Sequence, residues 1–199
     1  AEQAVADTGL GRVDDKIQKN HRKTLGLLRD LRHARTVGVI AEYPEKGLIE
    51  IARRAGGVGA VVPSTNPVAT PYNKTLNALK GGNAIILAPS PKGEAVCEQV
   101  VVLMRGALRR VGAPEDLVQK LPPPISKAMT HEMMRQVDLV VVTGDIFDFD
   151  AVTAVPTKDR YVDWLERARG LGSEEWQSQF KMQVIIFNWV PYFALRIMA

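Results

Sequence analysis

The sequence predicts an α/β fold on three observations: short apolar runs recur along it, helix-length segments separate them, and glycine or proline clusters mark the joins. The runs are Val58 to Val62, Ala84 to Leu87, Leu117 to Leu121 and Leu139 to Val142. Between them lie Pro67 to Lys80, Gly93 to Val111 and Ile125 to Gln136, with Gly81-Gly82, Gly112-Ala113-Pro114 and Pro122-Pro123-Pro124 as punctuation. Strand, helix, strand at this spacing predicts a parallel sheet with right-handed crossovers, a Rossmann-like core. Strands as continuously apolar as Leu139-Val140-Val141-Val142 suit burial on both faces.

The elements before this core read differently. Residues 15–33 carry Ile17, Leu25, Leu28 and Leu31 among Lys, Arg and Asp, which predicts an amphipathic helix with a charged outer face. From Thr36 the period shortens: Val37, Val39 and Ile40, a turn at Tyr43-Pro44-Glu45-Lys46-Gly47, then Leu48, Ile49 and Ile51 predict a two-stranded hairpin within residues 35–56.

The last 55 residues have their own composition. Of the twelve aromatic residues, residues 1–144 hold only Tyr43 and Tyr72, and residues 145–199 hold the other ten. A core that evolved as one unit seldom divides so sharply, so a junction is expected near Gly144. Asp148 and Asp150 alternate with Phe147 and Phe149, which reads as a strand with acidic exposed positions in preference to a metal site. Tyr161, Trp164, Leu165 and Ala168 predict an amphipathic helix capped by Thr157. A second helix starts at Ser173-Glu174-Glu175 and lines up Trp176, Phe180, Val184 and Phe187. A segment this short cannot enclose so many aromatics and needs a surface to cover.

Composition narrows the function. With 199 residues, 46% apolar and 24% charged, the chain has the size and balance of one globular domain. Its net charge is +4, and the pairs Arg53-Arg54 and Arg109-Arg110 form no basic stripe and accompany no base-reading motif, so nucleic acid is not an expected partner. One cysteine, Cys97, excludes an internal disulfide and a multi-cysteine metal site and fits a reducing cytoplasm. The chain begins with Ala, and Ala1 to Asn20 has no apolar signal core, so its start reads as internal, not as a targeting segment. Val184 to Ala199 is apolar but interrupted by Asn188, Pro191 and Arg196, shorter than the ~20 residues of a membrane span.

Sheets of this kind bind ligands beyond the C-terminal ends of their strands. Those ends are Pro63-Ser64-Thr65-Asn66-Pro67, Ala88-Pro89-Ser90-Pro91-Lys92, Pro122-Pro123-Pro124 and Thr143-Gly144. No GxGxxG opens the first helix, so a cofactor must sit differently from the usual dinucleotide fold.

Five blocks carry a resemblance. They are Asp7-Thr8-Gly9-Leu10-Gly11 with Asp15-Lys16-Ile17; Val61-Val62-Pro63-Ser64-Thr65-Asn66-Pro67; Lys74-Thr75-Leu76-Asn77-Ala78-Leu79-Lys80; Asn83-Ala84-Ile85-Ile86-Leu87-Ala88-Pro89-Ser90-Pro91; and Val140-Val141-Val142-Thr143-Gly144. In order and spacing they resemble the CoA-acylating branch of the aldehyde dehydrogenase superfamily, most closely the acylating sulfoacetaldehyde dehydrogenases. The resemblance covers residues 1–144 and stops at Asp145-Ile146-Phe147. It implies a partial NAD(P)-binding domain, with 35–56 as an oligomerisation hairpin and 145–199 unassigned. It further implies oxidation of an aldehyde through a cysteine thioester passed to coenzyme A, or the reverse, in a homo-oligomer.

The resemblance makes Asn66 the candidate oxyanion donor. Asn before Pro also suits an N-cap, so a structural role for the helix at Pro67 stands beside the catalytic one. Hydrolytic relatives keep Asn one position earlier, where this chain has Thr65, so Thr65 is the alternative. Val62, Pro63, Ser64, Thr65, Ala88, Pro89, Ser90, Pro91, Lys92, Thr143 and Gly144 are the candidate cofactor-binding residues. In the wider superfamily a Lys and a Glu bind the adenosine ribose; here Ala88 and Pro91 stand in those places, which leaves NAD and NADP both open. Lys92 is a candidate for a phosphate of NADP or coenzyme A, or a solvated lysine. Thr143-Gly144 opens the loop toward the pyrophosphate.

Cys97 lies inside a predicted helix near Val96, Val100 and Val101 and reads as a buried small hydrophobe, not the nucleophile. His21, His33 and His131 match no motif and read as surface or helix-end residues, and His131-Glu132 makes no metal site. The expectation is an NAD(P)-binding portion that lacks the catalytic cysteine domain and is inactive alone. The alternatives are a non-catalytic nucleotide-binding or assembly module, or a truncated or frame-disrupted product.

Overall fold

Alternation within the apolar runs decides which face each side chain takes, and so decides the layers. The computed structural model describes residues 1–143. It begins with two helices, α1 (Glu2–Thr8) and α2 (Val13–Arg32), followed by strands β1 (Gly38–Tyr43) and β2 (Leu48–Ala52). Then come β3 (Gly57–Val62), α3 (Ala69–Lys80), β4 (Ala84–Pro89), α4 (Glu94–Arg110), β5 (Val118–Lys120), α5 (Lys127–Gln136) and β6 (Leu139–Val142). The expected strands and helices of the core are all present, each within two residues of the expected bounds. The junction at Gly144, the segment 145–199 with its two expected helices, and Asp148 and Asp150 lie outside the described residues.

The core sheet is parallel throughout, in the order β5-β4-β3-β6. Val58, Ala60 and Val62 of β3, Ile85 and Leu87 of β4 and Val118 of β5 point to one face, where they meet Ala78 of α3 and Cys97, Val100, Val101 and Met104 of α4. Ala60 and Leu87 are fully buried there. The residues between them, Val61, Ile86, Val140 and Val142, point to the other face and meet Met133 and Met134 of α5. Gly59 admits that helix: a Cβ there would lie 2.9 Å from Val137 Cγ2 and 3.1 Å from Met133 Cε. Burial is therefore unequal. The α3–α4 face is closed, whereas Val61, Ile86, Val140 and Val142 are half-buried, because α5 is the one helix packed on that side among the described residues.

At the opposite edge, Gly56 and Gly57 tie three strand starts together. Gly56 N–H donates to Asn83 Oδ1 (2.9 Å), and Gly57 N–H donates to the Asp138 carboxylate (2.8 Å). Gly56 accepts from Ala84 N–H (3.1 Å) and Gly57 from Asp138 N–H (2.9 Å).

The hairpin forms as expected, with β1 and β2 antiparallel in a sheet of their own and Gly47 at φ 60 closing its turn. Ile49 and Ile51 share a face, and Val39 stands opposite Ile51; all three are exposed.

The orientation of α2 corrects the sequence reading. Apolar residues were expected inside and charges outside; Leu31 is buried as expected, yet Ile17, Leu25 and Leu28 are exposed while Lys16 is only 8% exposed. α2 packs on α3, and Lys16 is held inward by its bond to the Thr65 carbonyl in the loop before that helix. Helix α1 was not expected at all. It buries Ala4 and Thr8, ends at Gly9 (φ 66), and packs on the short turn Pro91–Gly93.

Candidate functional site

Strand order places the site. The chain leaves β3 for β4 and β5 on one side, then returns after α5 to lay β6 on the other, so the strand order reverses at the C-terminal ends of β3 and β6. Backbone bonds hold the neighbouring strand ends level there. Ser90 N–H donates to the Val62 carbonyl (2.9 Å), and Thr143 N–H to the Val61 carbonyl (3.3 Å). The structure thus brings together Pro63 to Asn66, Ser90 to Lys92, and Thr143.

The side chains divide into lining and support. Val62, Ala88 and Pro89 are buried, Val62 in the α3–α4 core and Ala88 against α5, so what these three offer a ligand is limited to backbone. Thr65, Pro91 and Lys92 are exposed, and Pro63, Ser64, Ser90, Asn66 and Thr143 are half-buried. Ser90 Oγ and Thr143 Oγ1 are buried atoms with no hydrogen-bond partner among the described residues. Both hydroxyls stand on the strand ends flanking β3, where each has a donor hydrogen not used by any described residue. Gly144 lies outside the described residues.

Asn66 does not cap the helix. α3 starts at Ala69 with Val68 in the cap position and no side-chain cap bond. The reason is the turn at Ser64-Thr65, after which Pro67 and Val68 form a further turn before the helix begins. Asn66 accepts from Thr70 N–H (3.2 Å) through its backbone carbonyl, while its side-chain amide faces Thr65 Oγ1 at 3.5 Å, a weak contact. The amide N–H groups are therefore still available to an oxyanion.

Three supports were not foreseen. Lys16 Nζ donates to the Thr65 carbonyl (3.2 Å) and so anchors the Asn66 turn to α2. Gly93 lets α4 approach that loop closely, since a Cβ there would stand 2.9 Å from Pro67 Cβ and 3.5 Å from Ser90 Oγ. Lys120, at the end of β5, pairs with Glu94 and with Glu98 (3.1 Å) on the first turns of α4. Burial works to lower the Lys120 pKa, but the two carboxylates outweigh it and hold the ammonium above its ordinary value. Spacing could have suggested this last cluster, because Glu94 and Glu98 are one turn apart and face one strand end.

Cys97 is fully buried, and burial pushes its thiol up to about 12 against a smaller opposing pull from Lys120. It is a core residue, as the sequence indicated. His131 is half-buried, with Nε2 lacking a partner among the described residues, so it is less open than expected. Arg109 is committed to Glu115 through two bonds of 2.6 and 2.7 Å. Among the described residues no group of His, Cys, Asp and Glu could hold a metal, and no helix is long and apolar enough to cross a membrane.

Comparison with known proteins places these features in context. The model of the aldehyde dehydrogenase family matches residues 15–147. The acylating sulfoacetaldehyde dehydrogenase of Cupriavidus necator is 63% identical over 144 residues, which are 72% of this chain and 29% of that protein. An acetylating aldehyde dehydrogenase from Geobacillus thermoglucosidasius superposes with a TM-score of 0.74 at 32% identity, over 78% of this chain and 35% of that one. The propionaldehyde dehydrogenase of Rhodopseudomonas palustris, solved with CoA and an acylated cysteine, gives 0.60 at 27% identity. An engineered glycolyl-CoA reductase with bound NADP+ gives the same values, and each of these two is matched over 79% of this chain and 35% of its own. The chain thus spans about a third of the length of such proteins.

Proposed function

The chain belongs to the aldehyde dehydrogenase family, and we propose that residues 1–144 are the nucleotide-binding portion of an acylating member that converts a short aldehyde, NAD(P)+ and coenzyme A to the acyl-CoA. Sulfoacetaldehyde is the aldehyde that the 63% identical relative suggests. The observation that carries the reading is the pair of orphan hydroxyls, Ser90 Oγ and Thr143 Oγ1, at the point where strand order reverses. That donor set fits a phosphate-bearing nucleotide.

Each residue then has a role. Ser64, Ser90 and Thr143 donate to phosphate or ribose oxygens, with Lys92 at the rim. Backbone at Val62, Pro63, Ala88, Pro89 and Pro91 shapes the floor. Asn66 donates its amide to the oxygen of the reacting carbonyl, with Thr65 as the neighbouring donor, and Lys16 fixes the turn on which both depend. Bound NAD(P)+ supplies the hydride acceptor. The cysteine that would carry the acyl group is not Cys97, so we assign it to a part of the enzyme beyond residues 1–144, and the chain alone is expected to show no turnover.

Calorimetry on the whole chain tests this. At least one of NAD+, NADP+ and coenzyme A is expected to bind, and Ser90→Ala with Thr143→Ala is expected to weaken that binding by about tenfold, two hydrogen bonds' worth at about 0.5–1.5 kcal/mol each. No heat from any of the three, on protein folded by circular dichroism, would overturn the nucleotide reading.

The exposed apolar residues support the oligomer. Val39, Ile49 and Ile51 of the hairpin and Ile17, Leu25 and Leu28 of α2 are all open to solvent in one copy. A second copy is the proposed cover. Ile49→Asp with Ile51→Asp is expected to lower the mass seen by light scattering, and an unchanged mass would remove the hairpin from the interface.

A further inference from the structure

Lys16, Lys19 and Lys23 fall at i, i+3 and i+7 and share one face of α2. This helix departs from a simple amphipathic pattern: Ile17, Leu25 and Leu28 look outward, Leu31 is buried, and Lys16 is buried with them exposed. Lys74 of α3 is 5% exposed. The row starts at the candidate site, because Lys16 Nζ donates to Thr65 O in the turn that carries Asn66 (3.2 Å). Gly11 makes room for that side chain: at φ +74, a Cβ there would lie 3.3 Å from Lys16 Cε.

These cations feel one another. Burial, then Lys23 and Lys16, hold the Lys19 pKa below its ordinary value; burial, then Lys23, lower Lys74 to about 8. None of the ion pairs among the described residues involves Lys16, Lys19 or Lys23. Lys16, Lys19 and Lys23 lie along one face of α2 in no ion pair among the described residues, and beside Lys74 on the neighbouring α3 they make this junction strongly positive, an environment that favours an anion.

We propose that the α2–α3 groove beside the Ser64–Asn66 turn binds an oxyanion group, and that its occupant is the charged end of the aldehyde that reacts at Asn66. A sulfonate one methylene from the carbonyl matches both the short path from that turn to Lys16 and the charge of the groove. The choice of aldehyde rests on the function proposed above, whereas the anion site does not. A phosphate monoester of the coenzyme is the other source of the same chemistry.

The test is a titration of the whole chain, carrying 13Cε-labelled lysine, with ethanesulfonate at low ionic strength. Saturable movement of the Lys16, Lys19 and Lys74 resonances is expected, and Lys19→Gln with Lys23→Gln is expected to weaken binding by about tenfold with the helical signal unchanged. No movement, or equal binding by the double variant, would overturn the groove. Displacement of ethanesulfonate by coenzyme A but not by dephospho-coenzyme A would overturn the aldehyde as occupant; displacement by neither supports it. Because ethanesulfonate needs no nucleotide, failure of nucleotide binding and failure of this site are read separately.

Discussion

Replacing Gly56 by Ala is expected to destabilise the fold by about 2–4 kcal/mol, combining backbone strain with loss of a hydrogen bond. Gly56 sits at φ +120, where a side chain is strained whatever space surrounds it. Space is also lacking, since the new Cβ would lie 2.3 Å from Asp138 Oδ2 and 3.1 Å from its Cγ. That carboxylate is the acceptor for Gly57 N–H, so moving it breaks one of the bonds that align the starts of β3 and β6. A loss of this size is a large share of the ~5–15 kcal/mol that a domain has in total. Urea unfolding followed by circular dichroism checks it. A midpoint within experimental error of the parent would show that the Asp138 clamp can shift without cost.

The second large effect is chemical. Raising a thiol from 9.0 to about 12 leaves about a thousandfold less thiolate at any pH below 9, and full burial slows reagent access further. Cys97 is therefore expected to react with a disulfide reagent at pH 8 at least a thousandfold more slowly in the native protein than in urea. Only the unfolded thiol ionises between pH 9 and 12, so the contribution of this residue is intact below about pH 9 and is lost as pH rises toward 12. Rapid native labelling would contradict the core assignment and reopen the question of a reactive cysteine in this chain.

Much of the fold was legible because its information is local. Val58 to Val62 and Leu139 to Val142 read as strands from their apolar runs, and the glycine and proline clusters bound the helices between them, although β6 at the sheet edge is only half-buried along its length where burial on both faces was expected. The candidate site was legible as a set of strand ends, since parallel topology alone puts Ser90 and Thr143 beside the end of β3. What stayed hidden depends on partners distant in sequence. Lys16 looks solvated until Thr65, 49 residues away, is seen to receive it. Ile17, Leu25 and Leu28 of α2 read as core because the pattern of a helix does not say how much of its apolar face a neighbour will cover. Asn66 resembled a cap because Asn-Pro usually is one, and the tandem turns that delay the helix to Ala69 leave no mark on periodicity.

The return of β6 to the far side of β3 has a consequence during synthesis. Val58 pairs with Leu139, so one edge of the central strand waits for roughly eighty further residues to be made. At the ordinary pace of translation that is about 4–16 s, during which an apolar strand with an open hydrogen-bonding edge is presented to whatever lies outside the ribosome. The nascent chain is then most exposed to aggregation and most in need of a chaperone, and that interval is set by topology, not by the stability of the finished sheet.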